Sequence, residues 1–312
     1  MRRAIITGAT GAIGTALVQE LVDHDVEVLV ICRENSKRND RIPKHPLVEK
    51  CFCDLNMLAE LDNTTGKSYD VFYHLAWEGT IGTERNDMYL QNRNVKNSLD
   101  AVGVAKRFGC HTFIGAGSQA EYGRVEGLLK PDTPAFPEMG YGIAKLCSGA
   151  MTRELAHQMG LSHIWVRILS VYGPNDGEKT LISTLLRNLK SGVSPQCTLG
   201  GQTWDYLYSR DAARAFYLLG EKGIDGKTYV LGSGKVAPLR EYIEKVCKIA
   251  SNGIQADFGA IPYAPKQVMF LGADISELQR DTGFEPAYTF EVGMRETVAY
   301  FRQKDGNYNN LT

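Results

Sequence analysis

The sequence lacks the features that mark several large protein classes. No apolar run approaches the roughly 20 residues that a membrane-spanning helix needs, so the chain is not expected to cross a bilayer. Its 35 Lys and Arg residues nearly balance its 36 Asp and Glu residues, so no strong positive field is available to attract nucleic acid. Seven cysteines occur without CxxC pairs or nearby histidines at metal-ligand spacing. We therefore expect a cytoplasmic globular protein with reduced thiols and no metal site.

The chain does contain an alternation of short apolar runs and longer helical patterns. Strands are predicted at residues 4–7, 26–32, 48–53, 71–75, 112–116 and 163–169, and helices at residues 13–22, 86–108 and 141–159. This alternation predicts an α/β fold, a doubly wound parallel sheet covered by helices on both faces. Beyond residue 173, Gly and Pro separate shorter segments, which predicts a smaller C-terminal α+β lobe with a last helix at residues 290–303. Residues 305–312 form a polar tail that we expect to fray.

A glycine-rich loop follows the first predicted strand. Gly8, Gly11 and Gly14 have the spacing Gly-x-x-Gly-x-x-Gly and lead directly into the first helix. Glycine permits a tight turn and lets a pyrophosphate approach the free N–H groups at the start of that helix. Glycines occur in any loop, but the order strand, loop, helix favours dinucleotide binding. The residues predicted to form this contact are Gly8, Thr10, Gly11, Ala12, Ile13 and Gly14.

The end of the second predicted strand indicates which dinucleotide is bound. An NAD-binding fold normally places an acid there for the ribose hydroxyl, whereas this chain has Cys32 followed by Arg33. Because a guanidinium forms charge-assisted hydrogen bonds with a 2′-phosphate, we expect NADP(H) rather than NAD. The alternative is that Arg33 belongs to a solvated basic loop with Lys37 and Arg38.

Asp54 and Leu55 follow the third predicted strand. There the Asp54 carboxylate would accept a hydrogen bond from the exocyclic amine of an adenine. It would equally serve as the N-cap of the helix that follows, and the spacing does not choose between these roles.

Three side chains suit proton transfer to a carbonyl. Tyr141 and Lys145 are four residues apart in a predicted helix, hence on one face. A lysine beside a tyrosine favours phenolate, which lowers the pKa of the phenol toward neutrality. Ser118 ends a buried strand, where its hydroxyl can hydrogen-bond a reacting oxygen. Tyr-x-x-x-Lys alone often arises by chance, so the hypothesis of carbonyl reduction depends on all three residues.

Together these motifs resemble the extended short-chain dehydrogenase/reductase family, in family order from Gly8 to Pro174. The matching positions are Gly8, Gly11, Gly14, His74-Leu75-Ala76, Asn94-Val95, Ser118, Tyr122-Gly123, Tyr141, Lys145, Arg167 and Tyr172-Gly173-Pro174. The resemblance implies that Tyr141 is the general acid/base, that Lys145 binds the nicotinamide ribose, and that Ser118 orients the substrate. It also places Asp54 beside adenine and a nucleotide-linked sugar in the C-terminal lobe.

The resemblance also implies a domain organisation and further site residues. Residues 1–172 would form an NADP-binding Rossmann domain, to which segments around 205–220 return, and residues 173–312 mainly a substrate lobe. Leu75 and Ala76 would line the cofactor cleft. The substrate-side candidates are Trp77, Arg85, Gln119, Tyr172 and Trp204. A core aromatic and a surface charge explain Trp77 and Arg85 equally well.

Helices at 86–108 and 141–159 usually join two subunits in this family, so the resemblance implies a homodimer. The apolar positions of those helices could equally all face the sheet.

The family's branches differ just after the catalytic serine. Dehydratases of the family carry an Asp-Glu pair there, whereas this chain has Gln119 and Ala120, which cannot donate a proton as acids. Arg33 favours reduction with diffusing NADPH. The resemblance therefore predicts an NADPH-dependent reductase of a nucleotide-linked 4-keto-6-deoxy sugar, of the kind found in bacterial surface polysaccharides. The alternatives are a 4-epimerase of a nucleotide sugar with bound NAD(P) and a non-catalytic NADP(H)-binding regulator.

Two positions depart from the family pattern. Trp204 and Ala264 stand where the family commonly has arginines that bind a diphosphate. Trp204 can stack on a base instead.

Overall fold

The computed structural model describes residues 1–304, so the predicted frayed tail at 305–312 lies outside the described residues. The strands are β1 (Arg3–Thr7), β2 (Glu27–Cys32), β3 (Val48–Phe52), β4 (Val71–His74), β5 (Thr112–Ser118), β6 (Ser162–Ile168), β7 (Ser170–Tyr172), β8 (Gln196–Cys197), β9 (Thr203–Trp204), β10 (Tyr206–Tyr208), β11 (Thr228–Leu231), β12 (Ala237–Pro238), β13 (Asp257–Phe258) and β14 (Phe270–Leu271). The α-helices are α1 (Ala12–Asp23), α2 (Met88–Arg107), α3 (Gly140–Gln158), α4 (Leu181–Lys190), α5 (Ser209–Lys222), α6 (Leu239–Ala250), α7 (Ser276–Thr282) and α8 (Phe290–Lys304).

Seven parallel strands form the central sheet, in the order β11-β6-β5-β4-β1-β2-β3. Six of them correspond to the six predicted strands, and α1, α2, α3 and α8 correspond to the predicted helices. The prediction of a Rossmann-type α/β fold is therefore confirmed. The sequence analysis missed the seventh strand, β11, whose four residues pair with β6.

Alternate side chains of each strand point to opposite faces of the sheet, and both faces are covered. Ala4 and Ile6 of β1 belong to the apolar cluster that contains residues of α1 and α5, whereas Ile5 belongs to the cluster that contains residues of α2 and α3. All three side chains are fully buried. Burial on both faces explains why these strands are continuous apolar runs.

The strand order reverses beside β1, which has β4 on one side and β2 on the other. Loops that leave the carboxyl ends of strands on either side of such a point diverge and leave a crevice between them. The glycine loop after β1, Arg33 after β2, Leu75 after β4 and Ser118 at the end of β5 all lie at this edge of the sheet. The fold thus brings residues that are far apart in sequence to one crevice.

Elements after β6 form a second cluster of aromatic and aliphatic side chains. Short sheets pair β7 with β10, β9 with β12 and β14, and β8 with β13. Helices α4, α6 and α8 pack beside them, while α5 packs on α1 against the central sheet. Within residues 1–304, no helix combines the length and the apolar character needed to span a membrane.

Candidate active site

The glycine loop between β1 and α1 has the geometry of an anion-binding turn. Gly8 has a positive φ of 81°, and a Cβ there would lie 2.6 Å from the main-chain nitrogen of Ala76. A Cβ on Gly14 would overlap the carbonyl oxygen of Gly8. Gly11 is the N-cap of α1 and offers no side chain to its first turn, which Ala12 and Ile13 begin. The N–H groups of that turn therefore fit a pyrophosphate, which would find there the positive end of the helix dipole.

A cleft of about 230 Å³ runs from this loop across the ends of β2, β3 and β4. The predicted cofactor residues among its lining are Gly8, Thr10, Gly11, Arg33, Asp54, Leu55, Leu75 and Ala76. Arg33 and Arg38 are exposed at its rim, and the half-buried Ser36 lies between them in sequence. Asp54 lines the cleft and also caps a short 3-10 helix, because its Oδ1 accepts a hydrogen bond from the N–H of Asn56 at 3.0 Å.

Ser118, Tyr141 and Lys145 meet at the next strand end. The main chain of β5 ends at Ser118, and α3 places Tyr141 and Lys145 one turn apart. Lys145 is 3% exposed, and its Nζ donates to the carbonyl oxygen of Ala116 at 2.6 Å. Burial raises the pKa of Tyr141, while a hydrogen bond from the Ser118 hydroxyl and the nearby Arg85 guanidinium counteract that rise. The expected lowering of the pKa by Lys145 is therefore not the main influence on this phenol.

Burial also changes the charge of the lysine. It lowers the pKa of Lys145 from 10.5 to about 7, an effect that the negative charge of Glu121 partly offsets. A buried ammonium costs free energy unless it has partners, so the amine releases its proton much more readily than a surface lysine. At neutral pH this group can both hold and release a proton.

Trp77 and Arg85 lie against Tyr141 and Lys145. The Nζ of Lys145 is 3.7 Å from the centre of the Trp77 ring, and that ring meets the Tyr141 ring edge-on at 6.2 Å. The Trp77 indole N–H donates to the Oε1 of Gln91 at 2.9 Å, which fixes the ring. The Arg85 guanidinium lies 4.7 Å from the centre of the Tyr141 ring, and its buried Nε has no hydrogen-bond partner. Arg85 is thus oriented toward the site and has a donor to offer a ligand.

The remaining substrate-side candidates lie in different places. Gln119 begins a half-buried 3-10 turn directly after Ser118. Trp204 lines a second cavity, of about 520 Å³, where its indole N–H donates to the hydroxyl of Ser170 at 2.8 Å. Tyr172 is only 1% exposed, and its hydroxyl donates to the carbonyl oxygen of Phe290 at 2.9 Å. The structure therefore places Tyr172 in the core behind this cavity and not among its lining residues.

Three polar residues of these sites escaped the sequence analysis. Glu121 is fully buried next to Ser118, Gln91 holds Trp77, and Asp176 lines the second cavity. Only Glu121 had a local signal, since Ser-x-x-Glu is the spacing of a capping box, and Ser118 and Glu121 form that box here. Gln91 and Asp176 contribute through contacts between distant segments, which no local pattern encodes.

Comparison with known proteins places the chain in a family. The family model described as the NAD dependent epimerase/dehydratase family matches residues 4–232, which contain both the glycine loop and the Ser118, Tyr141 and Lys145 group. The chain belongs to this family. The resemblance to the extended short-chain dehydrogenase/reductases is thereby confirmed, and the protein is an enzyme of the nucleotide-sugar epimerase/dehydratase type.

Similar epimerase/dehydratase family members act on several nucleotide sugars. A dTDP-glucose 4,6-dehydratase from Neisseria meningitidis serogroup B is 24% identical and covers 100% of this chain and 96% of the relative. CDP-abequose synthase from Salmonella typhimurium is 25% identical over 94% of this chain and 96% of the relative. A solved UDP-N-acetylglucosamine 4-epimerase from Methanobrevibacter ruminantium, in complex with UDP-N-acetylmuramic acid, has a TM-score of 0.87 at 23% identity, with 97% of this chain and 99% of that chain covered.

Proposed function

We propose that this epimerase/dehydratase family member is an NADPH-dependent reductase of a nucleotide-linked 4-keto-6-deoxy sugar. The observation that supports this most directly is the arrangement around Tyr141. The Ser118 hydroxyl counteracts the rise in the pKa of the Tyr141 phenol, the Arg85 guanidinium lies 4.7 Å from its ring centre, and it shares a helix face with Lys145. In this proposal Ser118 would orient the sugar carbonyl and Tyr141 would donate the proton to its oxygen, and the hydride for its carbon would come from an NADPH held by the glycine loop and Arg33.

The residues after Ser118 favour reduction over dehydration. A dehydratase needs an acid to protonate the leaving hydroxyl, and neither Gln119 nor Ala120 is one. The nearby acid, Glu121, does not replace them because both of its oxygens accept hydrogen bonds from buried protein donors. The proposal therefore separates this chain from the dTDP-glucose 4,6-dehydratases to which it is similar.

The rim of the cofactor cleft supports NADPH as the reductant. The end of β2 offers Arg33, and the following turn offers Ser36 and Arg38. A 2′-phosphate placed there would gain charge-assisted hydrogen bonds, and the lining that follows β2 contains no carboxylate to bind a ribose hydroxyl or to repel a phosphate. The family description names NAD, so the preference for the phosphorylated dinucleotide is specific to this proposal.

The second cavity is the proposed site of the substrate's nucleoside, its base and ribose. Trp204 and Tyr206 provide aromatic walls, and Gln202 provides an amide. Among residues 1–304, Asp176 is the one charged residue that lines the cavity. Aromatic walls suit stacking on a base, and polar groups suit sugar hydroxyls. Arg85, beside Tyr141 and with a buried free donor, is the proposed cation for the substrate's phosphate oxygens.

We also propose that the enzyme is a homodimer formed through α2 and α3. The exposed face of α3 has an apolar stripe, because Ile143 and Met151 are 50% and 45% exposed and Cys147 lies between them. Met88 and Tyr89 are exposed at the start of the neighbouring α2. A second copy would bury this stripe.

A 4-epimerase of a nucleotide sugar is the second candidate. It is favoured by the structural match to the UDP-N-acetylglucosamine 4-epimerase. It is also favoured by a UDP-glucuronic acid 4-epimerase from Bacillus cereus, whose structure in complex with UDP-glucuronic acid and NAD matches this chain with a TM-score of 0.84. An epimerase would use Tyr141 first as base and then as acid. It would retain its oxidised dinucleotide through purification, whereas a reductase exchanges it.

The test is NADPH oxidation by purified protein with dTDP-, CDP-, GDP- and UDP-linked 4-keto-6-deoxyhexoses, with the same sugars lacking a nucleotide as a further arm. Tyr141→Phe is the control and is expected to lose activity by about a hundredfold or more, since it removes the proton donor. Turnover by the parent protein but not by Tyr141→Phe supports the reductase and identifies the nucleotide. NADPH binding without turnover of any sugar would contradict it. In a further arm with nucleotide sugars that carry a C4 hydroxyl, interconversion of the 4-epimers without net NADPH consumption would establish the epimerase.

A further inference from the structure

A buried carboxylate lies directly behind the catalytic serine. Glu121 has no exposed surface, and its Oε1 accepts a hydrogen bond from the main-chain N–H of Ser118 at 2.8 Å. The same oxygen accepts the indole N–H of Trp165 at 3.0 Å, and Oε2 accepts the Nε of Arg167 at 2.7 Å. One carboxylate therefore connects the end of β5 to two side chains of β6.

We propose that Glu121 is a positioning residue for the catalytic group: it fixes the main chain that presents Ser118 and supplies the negative charge that faces Lys145. The inference rests on the proposed function for the roles of Ser118 and Lys145. It adds to that function a residue that does not touch the substrate.

The first part of the proposal concerns geometry. Ser118 lies at the end of a strand, where the sheet's own hydrogen bonds stop, and the Glu121 carboxylate continues the constraint by one more bond. The serine hydroxyl in turn accepts a hydrogen bond from the N–H of Ala120 at 3.2 Å, so both the main chain and the side chain of Ser118 are held by hydrogen bonds. A hydroxyl that orients a reacting carbonyl must be held to within a fraction of an ångström.

The second part concerns charge. Burial favours the neutral form of Lys145, and Glu121 favours the charged form. The other titratable groups that face Lys145 are Tyr141, which is neutral at its raised pKa, and His74, which burial and the lysine itself keep neutral. Glu121 also faces Arg167, whose positive charge balances its own, and the neutral Tyr122. Among the groups facing Lys145, Glu121 therefore supplies the negative charge.

Stability alone does not explain why an ion pair occupies this position. Replacing a buried ion pair by apolar side chains of similar volume is often neutral or stabilising, because desolvation offsets the attraction between the charges. A role in holding Ser118 and in charging Lys145 accounts for the carboxylate.

The matched control is a second buried carboxylate with the same kinds of partner. Asp211 is 1% exposed, accepts hydrogen bonds from the main-chain N–H groups of Ala287 and Tyr288, and lies 3.6 Å from the Arg214 guanidinium. Glu121→Gln and Asp211→Asn each remove one buried charge next to an arginine, but only the first lies beside Ser118. Both variants should lose thermal stability.

The direct measurement is the titration of lysine side chains by NMR, with an isotope label at the ε-carbon. The parent protein should show one lysine resonance that titrates near pH 7 and that disappears in Lys145→Met. In Glu121→Gln this midpoint should move to lower pH by about one unit, while Asp211→Asn should leave it in place. This measurement needs no substrate, so it remains decisive even when no sugar is reduced.

The kinetic measurement is kcat and KM for NADPH and the keto sugar. Glu121→Gln should lower kcat by about tenfold or more with KM nearly unchanged, because misplacement of a reacting group by about 1 Å costs on the order of a hundredfold in rate. Should Glu121→Gln not fold, the double variant E121Q/R167M removes both charges together and is measured in the same way. An unchanged lysine midpoint, with a loss of kcat no larger than in Asp211→Asn, would overturn the proposal and leave Glu121 a structural residue.

Discussion

Two histidines of the central sheet are buried without charge. His74 shares hydrogen bonds with Thr7 and Ser98, and His163 with Thr152, and His163 stacks between the rings of Phe113 and Trp165. Burial lowers the pKa of each from 6.5 to about 3. Protonation of either ring would place a positive charge in the buried interior and destabilise the fold.

These histidines predict acid sensitivity. Between pH 3 and pH 6.5 the unfolded chain binds protons that the folded chain does not, so the free energy of unfolding rises with pH in this window and falls on acidification. Each histidine contributes a slope of about 1.4 kcal/mol per pH unit well below its unfolded pKa. In urea unfolding from about pH 4 to about pH 6, His163→Gln should lower the slope of the parent by its own contribution, about 1.4 kcal/mol per pH unit. An equal slope in the variant and the parent would contradict the assignment.

Arg33 gives a second prediction at the residue scale. Arg33→Ala should weaken NADPH binding by about tenfold to a hundredfold, since a hydrogen bond to a charged group contributes about 1.5–3 kcal/mol. NADH binding should be unchanged because NADH has no 2′-phosphate. Dissociation constants of both dinucleotides measure this. Equal losses for the two would show that Arg33 supports the loop and does not recognise the phosphate.

At this scale a sequence predicts candidate residues best where one segment contains the evidence. Tyr141 and Lys145 share a helix, and the glycines share a loop, so their spacing indicated them once Ser118 and the order of strand, loop and helix were added. Gln91 escaped because its partners, Trp77 and the carbonyl of Gly79, become neighbours only when the chain folds back. The motif that contains Tyr172 predicts a substrate residue there, whereas the packed C-terminal lobe buries its side chain, which no local pattern indicates.

At the scale of an element, the glycine loop contains one glycine that the fold requires and another that ligand binding requires. Gly14 packs against the carbonyl of Gly8, whereas a Cβ on Gly11 would meet no atom closer than that carbonyl, at 4.0 Å. The two glycines thus have different reasons to lack a side chain. One permits the turn, and the other leaves room in the cleft.

Gly14→Ala and Gly11→Ala should therefore differ. Gly14→Ala should lower the melting temperature, because the loop must shift to relieve the overlap. Gly11→Ala should melt like the parent but bind NADPH at least about tenfold more weakly, because its methyl group occupies the approach of the pyrophosphate. Thermal melts and dinucleotide titrations of both variants test this. A Gly11→Ala protein that binds NADPH normally would place the pyrophosphate elsewhere.

The seventh strand shows what sequence could not predict at the scale of elements. β11 has four residues and comes after α5 and the shorter strands of the C-terminal half, and its pairing with β6 joins Thr228 to Trp165. The six earlier strands are the apolar runs that alternate with helical patterns in the first 170 residues, which is the pattern that predicted them. A short strand added from a distant segment has no such context.

For the whole molecule, the apolar stripe on α3 predicts self-association. Ile143→Glu should convert the proposed homodimer to a monomer, because each charge would face an apolar surface across the symmetry axis. Val292→Glu is the matched control, since Val292 is an exposed apolar residue of α8, at 42%. Sedimentation velocity of both variants and the parent measures the mass. A parent that sediments as a monomer would show that the stripe serves another purpose.

The position of Trp77 has an optical consequence. The chain has three tryptophans: Trp77 in the cofactor cleft over Lys145, Trp204 in the second cavity, and Trp165 buried at 3% exposure behind Ser118. The emission of an indole changes with its surroundings, so the two accessible rings act as separate natural reporters. In Trp204→Phe the fluorescence follows the arrival of dinucleotide, and in Trp77→Phe it follows the arrival of sugar. The order in which the two ligands bind can thus be determined from intrinsic tryptophan fluorescence.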